Sequence, residues 1–420
     1  MKLSERLSAR LSAEGLRRSF AAFRIVEYRR WGIAQFMSST GTSAAQVAMA
    51  WLVVVLGGDG ITLGVVTACM MLPTLALGPV AGMLVDRFTR RAVLLATASA
   101  QALIAVALAT LAFTGAVQVW SLMVLSLLHG LAFAADNPAR QLLVLDLVGR
   151  DQVTSAVGMN EVLINSARIV GPAVAGLILV VGDPAWCFVF HAVSLVPAIV
   201  VLLTLRTSRP AGGEAHRASA AERQEPAEEP PSSAWRFVAT SAPIRSTLLL
   251  AVCASASFNI AVVIPLIVAD VFRAGGGTYG ALAMAFGLGA LPGAILSATG
   301  PTTPRGSEIR VLALLMGALV LLSAAAPVLP FLFAGLALVG LVVMWFIARA
   351  NAFVMLGTPA AIRGRVMGFW AMALPGSNVV TGLLVGGLAD LTDPRIAYAA
   401  VGLAAVATAV VCWRGLRPVE

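Results

Sequence analysis

Runs of about 18 to 25 apolar residues recur along the whole chain, and each is long enough to cross a hydrocarbon layer of roughly 30 Å as a helix. Water offers no stable place for so many such runs, so a lipid bilayer is the expected partner of this chain. The composition agrees. Hydrophobic residues make up 59% of the 420 and charged residues only 12%, against roughly 25% charged in ordinary soluble domains. Gly and Pro inside the runs fit the same reading, because membrane helices tolerate them better than soluble ones do.

Twelve spans are expected, at about 31–56, 61–84, 92–114, 119–140, 156–181 and 185–205, then 244–271, 277–298, 309–328, 330–356, 366–389 and 395–413. The expected fold class is therefore an all-α integral membrane protein of twelve helices in two six-helix, pseudo-symmetric halves. The domain reading is an N-terminal tail at 1–30, a first half at 31–205, a linker at 206–243, a second half at 244–413 and a tail at 414–420. The linker is rich in Ala, Glu, Pro and Arg from Arg206 to Pro231 and reads as disordered. From Trp235 to Arg245 it mixes Trp, Phe and Arg, which suits a short interfacial helix.

The net charge of +9 suggests nucleic acid at first sight. The position of the charges argues otherwise. All of the Lys and Arg except Arg168, Arg273, Arg349 and Arg395 fall in the tails, in the linker, or in loops on one side of the predicted topology. By the positive-inside rule that side is the cytoplasm, with both termini there and no nucleic-acid partner implied. The charge spread over the first thirty residues lacks the short apolar core of a cleavable signal peptide. Cys69, Cys187, Cys253 and Cys412 lie on separate runs, without metal or disulfide spacing, and read as small buried hydrophobes. No metal site is expected.

Several polar groups interrupt the apolar runs, and these are the candidate site. Glu161, Asn165 and Arg168 fall at steps of four and three, with Pro172 four further on, so one face of span five carries a polar stripe. An Arg at the centre of a bilayer costs roughly 2.5–3.5 kcal/mol on insertion scales, so Arg168 is expected to face a partner or water. A static ion pair with Glu161 is the plain alternative. Asp136 and Arg140 are spaced i,i+4 and can neutralise each other, yet Asp136 is also the best proton-site candidate in the first half. Gln46 and Asn259 are cavity candidates, and so is Asn378, which a weak internal repeat sets opposite Arg168. His129 and His191 are expected to be packed, neutral histidines.

The stretch Gly78-Pro79-Val80-Ala81-Gly82-Met83-Leu84-Val85-Asp86-Arg87-Phe88-Thr89-Arg90-Arg91 resembles the signature loop of the major facilitator superfamily. Thr89 and Val85 depart from its usual Gly and Ala. The resemblance implies a gate in which Gly82 permits close helix approach, Arg87, Arg90 and Arg91 supply the basic positions, and Asp86 docks at the start of span eleven. Gly171-Pro172 with Gly176 resembles the antiporter motif of the same superfamily, associated there with export. Asp136-Asn137-Pro138-Ala139-Arg140-Gln141 resembles the drug:proton antiporter branch that includes bacterial enterobactin exporters. Gln35, Ser39, Gly41, Thr42, Gln46, Ala50 and Trp51 fit that branch, as do Arg349-Ala350-Asn351 and Arg363-Gly364-Arg365-Val366-Met367-Gly368.

That resemblance implies a secondary transporter of the bacterial inner membrane. It would export small amphipathic or siderophore-like molecules by alternating access, as a monomer and with no cofactor beyond an ion gradient, protons being expected. Catalysis is not expected: no Gly-x-x-x-x-Gly-Lys-Ser/Thr, His-Glu-x-x-His or Gly-x-Ser-x-Gly pattern occurs. Competing readings are an importer, a lipid flippase, or a non-transporting sensor or scaffold whose polar stripe is closed by internal pairs.

Overall fold

The computed structural model describes residues 21–148, 152–205, 232–258, 260–299, 303–359, 362–413 and 415–416. Most of the predicted linker, 206–231, lies outside these residues, as do the first 20, position 414 and the last four. Apart from one short 3-10 turn at Ala21–Arg24, two π turns and connecting turns, the described chain is α-helical, with no strand among the described residues.

In the first half the helices are α1 (Val26–Val55), α2 (Gly60–Arg87), α3 (Arg90–Phe113), α4 (Val119–Val148), α5 (Val153–Val181) and α6 (Ala185–Thr204). A nine-residue helix, α7 (Ser232–Thr240), follows. Next come α8 (Ala242–Phe258) and α9 (Ile260–Leu266), the latter running into a π turn at Ile267–Val271. The remainder is α10 (Gly276–Thr299), α11 (Gly306–Ala324), α12 (Leu329–Leu356), α13 (Arg363–Ala371), a π turn at Met372–Gly376, α14 (Asn378–Leu391) and α15 (Pro394–Val411). Pro265 precedes the first π turn and Pro375 lies in the second. Proline removes a ladder donor, and a π turn is one way for a helix to absorb that loss without ending.

Among the described residues, eleven helical stretches are long and apolar enough to cross a membrane, where twelve spans were expected. The difference is α1. It has 30 residues, about 45 Å of helix, but Gln35, Ser38 and Thr40 dilute its apolar character. All three are buried. The hydroxyls of Thr40 and Thr42 donate back to the carbonyls of Phe36 and Ser38, at 2.8 and 3.0 Å. α1 is polar because its inner face is polar, not because it is short.

The chain forms two compact units. One contains 1–58, 69–208 and 273–284; the other contains 59–68, 209–272 and 285–420. In the first, α1 packs on α5 and α6, and α3 packs on α4 and α6. In the second, α8 packs on α14 and α15, and α11 packs on α12 and α15. The same four pairings thus recur when each helix is replaced by the one six spans later. That is the packing signature of a duplicated six-helix unit.

α7 carries part of the expected interfacial helix. Ala234 and Val238 are buried while Trp235 is 63% exposed. An indole on the outer face of a short amphipathic helix suits the boundary between lipid and water. Arg245, expected at the end of this helix, instead lies in the first turn of α8 and donates to the Ala239 carbonyl.

Candidate functional site

On α4, His129, Asp136 and Arg140 are spaced i, i+7 and i+11, which returns each to within about 20° of one helix face. Asp136 is 1% exposed. Its carboxylate accepts from the Arg140 guanidinium and, at 2.9 Å, from the Thr97 hydroxyl of α3. Arg140 also reaches Ser38 Oγ of α1 at 3.4 Å and lies 5.8 Å from the centre of the Trp31 ring. His191 of α6 completes the cluster, with its ring centre 6.0 Å from that of His129. Four helices of the first unit each contribute a polar group to one interior patch.

The stripe on α5 behaves differently. Asn165 donates to the Glu161 backbone carbonyl at 2.8 Å, so its amide is spent on its own helix. Glu161 and Arg168 are both exposed. Glu161 acts electrostatically on Arg168, yet the static ion pair does not form. Among the described residues no hydrogen bond or ion pair reaches the Arg168 guanidinium. Arg168 lies about 22 Å from the start of α5, far from either end of the helix. Asp136 belongs to the α4 cluster and is committed to Arg140 and Thr97, so it is not the counter-ion of Arg168 in this structure.

Beyond Arg168, α5 presents Gly171, Pro172 and Gly176, all buried. A Cβ on Gly171 would stand 2.7 Å from the Thr40 carbonyl oxygen of α1. One on Gly176 would meet the backbone of Gly277 and Gly280 in α10 at 3.2 to 3.3 Å. The motif is a packing surface in which backbone meets backbone.

The signature loop is partly described. Gly82 lies within α2, but its surroundings and the Asp86 side chain are outside what the structure describes. Thr89, the departure from the usual Gly, is the N-cap of α3 and accepts from the Ala92 amide at 3.3 Å. Arg90 pairs with Asp146. Arg91 donates to the last carbonyls of α6, those of Leu203 and Leu205, at 2.7 and 3.0 Å. A cation there complements the negative end of the helix. Arg87 is exposed.

Of the cavity candidates, Gln46 is exposed and its amide nitrogen lies 3.8 Å from Met70 Sδ. Asn378, at the start of α14, accepts from the Ser255 hydroxyl of α8 at 2.7 Å. Asn259 lies outside the described residues.

Two carboxylates that residue spacing does not single out prove important in the second unit. Glu308 of α11 takes both arms of the Arg349 guanidinium on α12, at 2.6 and 2.7 Å. Asp390, at the end of α14, accepts from the backbone amides of Gly60 and Ile61 at 2.5 and 2.7 Å. Asp59 accepts from the Thr62 amide at 2.9 Å and from its hydroxyl at 2.6 Å. The Thr62 hydroxyl, then its amide, hold the Asp59 carboxyl below the usual carboxylate range. Two anions therefore satisfy the first three amides of α2, the end of a helix dipole that attracts negative charge. Glycines allow the approach, since a Cβ on Gly64 would stand 2.8 Å from the Gly382 carbonyl oxygen.

The chain matches the family described as transmembrane secretion effector over residues 17–419. It belongs to that family, within the major facilitator superfamily. The chain is 27% identical to the multidrug efflux pump Tap of Mycobacterium tuberculosis over 393 residues, 91% of each chain. It is 28% identical to the staphyloferrin A transporter of Staphylococcus aureus over 173 residues, which is 41% of this chain and 44% of that one. The match thus spans under half the length of that relative. In fold it is similar to the nucleoside transporter NupG, with a TM-score of 0.71, 14% identity, and 93% and 99% of the two chains covered. A D-xylose-proton symporter gives a TM-score of 0.67 at 15% identity, with 94% and 98% covered. At such identities the likeness carries the fold alone. As a multi-pass membrane protein of a transporter family, the chain is not an enzyme.

Proposed function

We propose that this protein exports small amphipathic or siderophore-like molecules across the bacterial inner membrane by alternating access, in exchange for protons. The observation that carries the reading is Arg168. It is a mid-helix cation, exposed, and without an ion-pair partner among the described residues. A charge at that depth is tolerated where it faces water or a ligand. The scaffold alternative calls for a stripe closed by internal pairs, and Arg168 weighs against it. Kinship with a protein named as a multidrug efflux pump favours export over uptake.

In this reading the halves 31–205 and 244–413, joined by the cytoplasmic linker 206–243, rock about a site near Arg168, Glu161 and Asn165. Gln46, Asn259 and Asn378 line the route, and the chain acts as a monomer with both termini in the cytoplasm. Asp86, flanked by Gly82, Arg87, Arg90 and Arg91, latches the inner gate on the first amides of α13. The caps on α2 illustrate that chemistry, a carboxylate seated on a helix start. Gly171, Pro172 and Gly176 keep α5 tightly packed while this happens, and the Asp136–Arg140 pair serves as the charge relay that answers the proton.

The test is a drug and siderophore panel in a host stripped of its own exporters, at matched membrane levels. The wild type should raise tolerance to at least one compound. Arg168→Ala and Asp86→Asn should each lose about tenfold or more of that effect, the size of a lost charge-assisted contact. Full retention by Arg168→Ala would refute the site.

A further inference from the structure

The chain contains three histidines. His216 lies outside the described residues. The other two are 62 positions apart in sequence, and the fold brings their rings to 6.0 Å centre to centre, inclined at 57°. His191 is 2% exposed, and neither of its ring nitrogens has a hydrogen-bond partner among the described residues. The buried Nε2 of His129 is likewise without one. The histidines expected to be packed and neutral thus lie side by side. Buried polar groups are normally satisfied, and each one that is not calls for an explanation.

The pair is also held against charge. Asp136 acts electrostatically on His129, and His129 and Arg140 act on His191. Among the described residues these are the charged groups that act on the rings; α5, which also packs on α4, carries Glu161 and Arg168. From α3 comes Thr97, bonded to Asp136, and from α1 comes Ser38, bonded to Arg140; neither is charged. The cations at the start of α3 are committed elsewhere, Arg90 to Asp146 and Arg91 to two carbonyls. On α1, Glu27 is exposed. Gly41 brings α6 close, since a Cβ there would meet Ser194 Cβ at 2.8 Å and His191 Cα at 3.1 Å.

We propose that His129 and His191 are the proton-carrying site of this protein, with Asp136 as the counter-charge and Arg140 as the cation it displaces. The inference rests on the exporter reading above. A proton from the outer solution adds to a free lone pair of one imidazole nitrogen, forming an N–H bond and one extra positive charge. The imidazolium then competes with Arg140 for the Asp136 carboxylate. When the N–H bond breaks toward the inner solution, the proton returns to water and the Asp136–Arg140 pair closes again. One proton enters, one leaves, and the carboxylate stays ionised throughout.

The test uses the full chain in liposomes, with ethidium and erythromycin as probes, and compares transport driven by a pH gradient with gradient-free probe exchange. In His129→Gln and His191→Gln, gradient-driven transport should fall about tenfold, to the level without a gradient, while exchange survives. Gradient-driven transport at the wild-type level would overturn the proposal. Equal loss of both modes would also overturn it, because that is the mark of a packing role.

If the wild type moves neither probe, the exporter reading fails for these compounds, and imidazole NMR of the protein in nanodiscs decides the site independently. The imidazole signals of His129 and His191 should then respond to pH and shift when Asp136 is replaced by Asn. Rings that stay neutral throughout, or that ignore the Asp136→Asn substitution, would overturn the proposal.

Discussion

Glu308→Ala is expected to destabilise the protein by about 3–5 kcal/mol, the cost of leaving a buried cation without its carboxylate. The Arg349 side chain is 6% exposed and that of Glu308 23%, so water does not replace the lost partner freely. The forked geometry adds to the effect, because two parallel N–H···O bonds vanish together. Glu308→Gln should cost less, since an amide oxygen still accepts one of them. Removing both charges, as Glu308→Leu with Arg349→Met, should recover much of the loss, as buried pairs replaced by apolar residues often do. Equilibrium unfolding in mixed micelles reads all three. A Glu308→Ala protein within about 1 kcal/mol of wild type would mean the pair is only a surface contact.

Asp136→Ala should cause a loss of similar size, and it should also abolish gradient-driven transport. The carboxylate is more deeply enclosed than Glu308, with a side chain 2% exposed beside an Arg140 that is 13% exposed. Its removal strands the guanidinium and the Thr97 hydroxyl at once. The double variant Asp136→Ala with Arg140→Met should be more stable than Asp136→Ala alone, with a coupling energy of about 1–3 kcal/mol. It should still fail to use a pH gradient. Stability and coupling then separate: repair of the charge balance restores the first and not the second. A double variant that transports like wild type under a gradient would remove the cluster from the mechanism.

The helices were legible because a bilayer leaves so few options. Every backbone group in lipid must bond within its own segment, so long apolar runs become helices wherever they occur. The Asp136–Arg140 contact was legible too, since i,i+4 spacing already puts the two side chains together. Contacts between helices were not. In a soluble bundle the apolar stripe marks the buried face, whereas here lipid-facing and buried faces are both apolar, and only small residues hint at contact. Glu308 and Arg349 stand 41 residues apart, and Asp390 lies 330 from the Gly60 amide it caps. No local period records either pairing.

The histidines are an intermediate case. The place of His129 on the polar face of α4 follows from the seven-residue step between His129 and Asp136, a spacing that is readable in advance. What the step does not reveal is that α6 brings His191 alongside. Thr89 teaches the reverse lesson. It looks like a degraded motif position, yet it caps α3, so a departure from the family pattern carries its own local structure.

Proton-driven export, as proposed, can be measured in inside-out membrane vesicles that contain this protein as their sole transporter. Acidifying the vesicle lumen should drive ethidium or erythromycin inward, a protonophore should stop it, and Arg168→Ala vesicles should accumulate neither. Accumulation by the wild type that proceeds at the same rate with the gradient absent or reversed would contradict it.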